Sequence, residues 1–228
     1  MKFSDRANKY LDKLKRDYDL VIGDRKMIVD YLESQNIPPL EKIIEFQMHF
    51  SGLQLTITNK PGSTFKASLF SKTDIQENSP IDPIEIDGQL YFYSGDHDTA
   101  QYWFVISSRG QICTFNNNDQ TVNVIFSSFD KFIETYAFED FLEQNNQYEH
   151  SGYYELIDYS KFEKLTQSFF QHHHTSDDYN KWLSEGNLFI HQGTWLHKPT
   201  FYIHVYGNNR KQCKTFLKLL QDNQIILS

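Results

Sequence analysis

The hydrophobic period of this chain changes at Ser51-Gly52, and that change fixes its fold class. Upstream, the apolar residues recur at helical spacing. Asp24 opens a segment in which Ile28, Tyr31, Leu32 and Gln35 share one side. Asn36-Ile37-Pro38-Pro39 interrupts it, because proline lacks the amide hydrogen a helix needs and restricts the residue before it. LEKIIEFQMHF (40–50) follows, with Leu40, Ile43, Ile44, Gln47 and Met48 on one stripe, and Gly52 suits the left-handed position that ends a helix. Beyond it the period becomes two: LQLTIT (53–58) alternates Leu53, Leu55 and Ile57 with polar neighbours, the pattern of a half-buried strand. A chain that does both in succession folds as α+β.

The remaining punctuation fills in that class. Residues 1–20 carry Tyr10, Leu11, Leu14 and Tyr18 at the spacing of one N-terminal helix. A second strand is expected in 64–70, and the polar, proline-flanked stretch 71–83 is expected to be a loop. Asp87-Gly88 sits between IEI and QLYFY, the pair that favours a type I′ hairpin. Arg109-Gly110 divides YWFVISS from QICTF in the same way, and TVNVIF (121–126) reads as a further strand. Ser127 or Ser128 then caps a helix over FDKFIETYAFEDFLEQ, with Asp130 in its first turn. Further on, SKFEKLTQSFF and DDYNKWLSE read as helices and NLFIHQGTW and TFYIHVYG as strands. NNRKQCKTFLKLLQDN reads as a closing helix capped by Asn208 or Asn209. Polarity rises at 143–152, so the expected division is a domain over 1–148 and a smaller α+β extension over 149–228.

Composition narrows the function classes. Nineteen Phe and 14 Tyr in 228 residues supply a sizeable core. Two cysteines a hundred residues apart make neither a disulfide framework nor a four-ligand zinc site. No apolar run approaches the roughly 20 residues of a membrane span, and the charged N-terminus lacks a signal-peptide core. The expectation is a soluble cytoplasmic protein that binds neither membrane nor nucleic acid. The net charge of −8 is unevenly placed: from Asp74 to Asp158 there are 16 acids against two bases, a net of −14, and the rest of the chain is +6. Such a segment repels phosphate backbones and speeds encounter with a basic protein.

Four features in this order resemble the SUKH superfamily, many of whose bacterial members are immunity proteins of polymorphic toxin systems. They are Ile37-Pro38-Pro39 ahead of an amphipathic helix, the helix exit Phe50-Ser51-Gly52, the Gly110 hairpin FVISSRGQICTF, and VIFSSFDKFIE with Ser128, Phe129, Phe132 and Ile133. The likeness runs from about Ile22 to Leu142. It departs at Ser51, where the family carries Asn or Gly, and leaves residues after about 150 unaccounted for. The resemblance implies a mixed sheet packed against helices, no catalytic site, no cofactor, and a cognate toxin as partner, often a nuclease with a basic substrate surface. The alternative is a regulatory scaffold of the same fold. On the toxin reading the expected contact residues are Asp82, Glu85, Asp87, Asp96, Asp98, Glu139, Asp140 and Glu143, with Tyr91, Tyr93 and Trp103 as aromatic anchors.

Chemical motifs are sparse. Gly95-Asp96-His97-Asp98 places a histidine between carboxylates, yet reads first as a turn whose side chains bond their own backbone. His172-His173-His174 is expected at a helix end, where no H-E-x-x-H spacing offers a metal pair. His191 and His204 would face one another if their strands pair, the one metal geometry worth testing, although a packed pair of imidazoles is the simpler outcome. Cys113 and Cys213 read as core. No metal ligand set and no catalytic constellation is expected.

Overall fold

A computed structural model describes residues 2–55, 64–97, 102–145 and 148–227, with Asp96 and His97 described by their backbone. It divides into two compact units, residues 12–122 and residues 1–11 with 123–228. The fold is α+β, helices with two antiparallel sheets, as the change of period requires.

In the unit over 12–122, helices α2 (Arg25–Ser34) and α3 (Glu41–Phe50) bury Ile28, Leu32, Ile43, Ile44 and Phe46. Asp24 caps α2 as expected, its carboxylate accepting from the amides of Lys26 and Met27. Gln47, on the apolar stripe of α3, is fully buried and satisfied: its amide donates to the carbonyls of Leu20 and Phe70, and its oxygen accepts from Ser51. Strands β1 (Lys15–Arg16), β2 (Leu53–Leu55), β3 (Phe65–Ala67), β4 (Ile84–Ile86), β5 (Gln89–His97), β6 (Trp103–Ser107) and β7 (Ile112–Asn116) build the sheet. Its path is β1-β2-β3-β5-β6-β7, with β4 on β5, and the chain leaves through β8 (Thr121–Phe126), the last strand of that path. Asp87 and Gly88 both have positive φ, 51° and 75°, as a type I′ turn demands.

Two expectations fail here. The N-terminal helix α1 is only Asp5–Leu11, because Arg16 pairs with Leu53 and turns residues 15–16 into an edge strand; Tyr18 is left 74% exposed in a short 3-10 turn. Residues 71–83 are not all loop: α4 (Lys72–Glu77) is held by a capping box in which Ser71 and Asp74 satisfy each other's backbone amides.

In the other unit, α1 lies on α5 (Phe129–Gln144), which Ser128 caps through the Lys131 amide. The second sheet runs β10-β14-β13-β12-β11, with β9 on β14: β9 (Glu149–His150), β10 (Tyr154–Glu155), β11 (Phe170–Gln171), β12 (Lys181–Glu185), β13 (Leu188–Thr194) and β14 (Phe201–Gly207). Strand alternation gives it two buried faces. Ile190, Ile203 and Val205 pack with Phe162 of α6 (Tyr159–Leu165) and with Phe216, Leu217 and Leu220 of α7 (Arg210–Asp222). On the opposite face Trp182 and Tyr206 pack with Phe138 and Leu142 of α5. That contact is why α5 groups with the C-terminal residues, so that the units part at 122/123 and not at the expected 148/149.

DDYNKWLSE therefore ends in a strand, not a helix. Its residues 181–185 pair with 188–192 across the Gly186-Asn187 turn, which sends Trp182 fully inside. SKFEKLTQSFF likewise stops being helix at Leu165, and Phe170 starts β11. His172–His174 consequently follow a strand, not a helix.

Candidate functional site

The expected contact residues fall into two groups, one in each unit. In the 12–122 unit the I′ turn fixes the register Ile86↔Gln89, Glu85↔Leu90 and Ile84↔Tyr91, and leaves Asp82, Glu85 and Asp87 exposed. None of the three forms an ion pair among the described residues. Tyr93 pairs with Val105 and so lies on the same sheet face as Trp103. Their rings meet edge to face at 5.0 Å, and each remains about two-fifths open, at 40% and 43%. Trp103 rests in turn on buried Phe115 at 5.8 Å, which holds the indole in place. Partial burial, and after it the Asp82 carboxylate, raise the Tyr93 phenol above its usual range. Tyr91 is raised by burial as well, with Arg109 opposing and Asp87 adding. Asp96 lies in β5 opposite Lys66, so Gly95-Asp96-His97 is strand and not turn, and Asp98 lies outside the described residues.

The second group lies on α5. Glu143 is exposed, and Asp140, half-exposed, accepts from Gln144 at 2.6 Å. Glu139 is not a surface acid. Thr135, Phe138, Glu139 and Leu142 follow at i, i+3, i+4 and i+7, the spacing of one helical face, and three of the four are buried. That face meets the sheet, so the spacing alone put Glu139 inside.

Around Glu139 the sheet supplies a polar cluster that no single motif in the sequence displays. His191 and His204 are direct partners across β13 and β14, as their strands imply, and both are buried. Each presents Nδ1 to the same Glu139 Oε1 at 3.9 Å, and neither Nδ1 has a hydrogen-bond partner among the described residues. The Tyr206 hydroxyl donates to that oxygen at 3.2 Å. Asn180 fixes the tautomer of His191. Its Nδ2 donates to the Ile125 carbonyl, which leaves Oδ1 to accept from His191 Nε2 at 3.3 Å. The proton of the neutral ring is thus on Nε2, and a bare lone pair on Nδ1 faces the carboxylate. Trp182 stacks flat on His191 at 4.4 Å. On the other side His204 Nε2 lies 3.3 Å from Nδ1 of exposed His150.

Burial opposes charge throughout this cluster. It pulls His191 down to about 4, against the attraction of Glu139. It also works against ionisation of Glu139, but the two imidazoles and Tyr206 outweigh it and hold the carboxyl below its ordinary range. Burial likewise raises the phenols of Tyr136, Tyr153, Tyr202 and Tyr206. At neutral pH Glu139 is a carboxylate and His191 a neutral ring. Among the described residues no group of three or more His, Cys, Asp or Glu is placed to hold a metal ion. Cys113 is fully buried and its thiol is pushed up to about 12, which makes it a core residue and a poor nucleophile. Cys213 is buried on α7.

No described helix is long and apolar enough to cross a membrane. The chain matches no protein-family model, no curated protein and no solved structure among those compared with it.

Proposed function

We propose that this chain is a non-catalytic binding protein that uses the acidic β4–β5 hairpin to engage a basic protein surface. The partner is a bacterial toxin, which the chain neutralises in the cytoplasm by occlusion. The observation that carries the reading is the half-open Tyr93–Trp103 pair on a hairpin whose Asp82, Glu85 and Asp87 carboxylates are exposed and form no ion pair among the described residues. Aromatic side chains held rigid by a packed neighbour make interface anchors at low entropic cost, while surrounding charge accelerates and orients encounter. The likeness of residues 22–142 to the SUKH superfamily supports a toxin as the partner, and the −14 segment supports a basic one over a nucleic acid. Asp140 and Glu143 of α5 add to the same charge.

Co-expression with the toxin encoded beside its gene tests the reading. Protection of the host is expected, together with a complex whose association slows as salt rises. Reversing Asp82, Glu85 and Asp87 to Lys should lower the association rate by about tenfold or more. Trp103→Ala should instead speed dissociation by about thirtyfold, the size of an interface hot spot. No protection and no low-salt complex would overturn the proposal. A complex without protection would favour the regulatory scaffold of the same fold.

A further inference from the structure

The outer face of α7 carries charge that the helix itself does not want. Arg210, Lys211, Lys214 and Lys218 are all exposed. At 3.6 residues per turn they fall within about a third of the helix circumference, opposite buried Cys213, Phe216, Leu217 and Leu220. None of the four forms an ion pair among the described residues. Arg210–Lys214 and Lys214–Lys218 are i,i+4 pairs of like charge, which destabilise a helix. Arg210 and Lys211 also occupy the first turn, where the macrodipole favours acids, and the helix has no acid there and no base in its last turn. Solubility does not demand this arrangement, since the chain as a whole is at −8.

Beside the cations runs a shallow groove of ≈ 740 Å³ whose floor includes Leu188, Phe216 and Leu219, with Lys211, Lys218 and a single acid, Asp222, on its edges. Leu219 is 43% exposed beside the lysines. A helix N-terminus adds its own positive potential at the Arg210 end. We infer that this face is a docking site for an acidic protein segment that carries apolar side chains. Its carboxylates meet Arg210, Lys211, Lys214 and Lys218, while a leucine-like residue fills the groove over Phe216 and Leu219. A nucleic acid fits less well, because the face offers no exposed aromatic ring for a base to stack on. A lipid surface fits less well because the apolar side of α7 is already committed to the core. This surface belongs to a different unit from the acidic hairpin, and the inference does not depend on the function proposed for that hairpin.

Fluorescence anisotropy with the full chain tests the site, using a fluorescein-labelled peptide of Asp, Glu and Leu. The comparators are the same peptide with Ser in place of Leu, and an oligothymidine. Saturable binding of the leucine peptide is expected. It should weaken about tenfold or more with the serine peptide, and by a similar factor in Lys211→Glu/Lys218→Glu. That double variant should melt close to the parent, because an acid in the first turn and the lost Lys214–Lys218 repulsion offset the new like-charge pair with Asp222. The same two-charge reversal at Lys9 and Lys164, both exposed and off this face, should leave affinity within about twofold. The inference is overturned by absence of saturable binding at low salt, by equal loss in the Lys9/Lys164 control, or by tighter binding of the oligothymidine.

Discussion

Gly52 shows how much a single backbone position carries. It sits at φ +84° directly after α3, its amide donates to the Ala67 carbonyl at 2.7 Å, and its carbonyl accepts from the Asp17 amide at 2.8 Å. A Cβ added there would lie 2.2 Å from the Asp17 carbonyl oxygen, a backbone atom that cannot swing aside. Gly88, at φ +75° in the β4–β5 turn, has the same dihedral requirement but open space around it. The two glycines separate conformational cost from steric cost. Gly88→Ala should lose about 1 to 2 kcal/mol, the ordinary penalty for a left-handed L-residue. Gly52→Ala adds a collision between three chain segments and should lose about 3 kcal/mol or more. Urea unfolding of both variants checks the difference. Equal losses would mean that the segments around Gly52 part freely, contrary to the close packing described.

Helix caps make the corresponding test at the scale of elements. Ser128 caps α5, a helix with aromatic side chains on the core and a face against the second sheet, so its loss is felt globally. Ser71 caps α4 with a full capping box, but α4 buries none of its residues. Ser128→Ala should lower the stability of its unit by about 1 kcal/mol. Ser71→Ala should leave global unfolding nearly unchanged while amide exchange over residues 72–77 accelerates. The same contrast explains what was legible beforehand. Caps next to an apolar period (Asp24, Ser128, Asn209) and the Asp87-Gly88 turn can be read directly, because the signal and the structure it causes lie within four residues. α4 escapes because its capping box precedes no apolar run, and β12 because residues 181–185 acquire their conformation only from pairing with β13. Of the candidate site, the exposed hairpin acids and the His191↔His204 partnership were readable from local pattern and strand alternation. The inward place of Glu139 was readable too, but only by weighing its helical spacing above its charge. Its convergence with the two histidines joins residues about 50 and 65 positions apart, which no local signal encodes.

At the scale of the whole molecule, the buried cluster couples protonation to folding. In the unfolded chain His191 takes up a proton near its ordinary value of about 6.5, whereas in the folded chain burial delays this to about 4. Between those values the unfolded state holds more protons, so stability is full above about pH 6.5 and falls as the pH drops toward 4. Glu139, also held low, extends the loss of stability further into acid. His172, lowered by burial and by Arg6, contributes with the same sign. The tyrosines around the carboxylate are all displaced upward and do not titrate in this window. His191→Gln removes one of these protons, so the slope of stability against pH between about 6.5 and 4 should become shallower without vanishing, His172 remaining. Tryptophan fluorescence can read this in the right unit: of the three tryptophans only Trp103 lies in residues 12–122. A Trp103→Phe background leaves Trp182, stacked on His191, and Trp195 to report the other unit. Urea titrations at a series of pH values then give the slope for parent and variant. An unchanged slope in His191→Gln would show that the imidazole protonates as readily inside the protein as outside. The attraction of Glu139 would then offset the whole effect of burial.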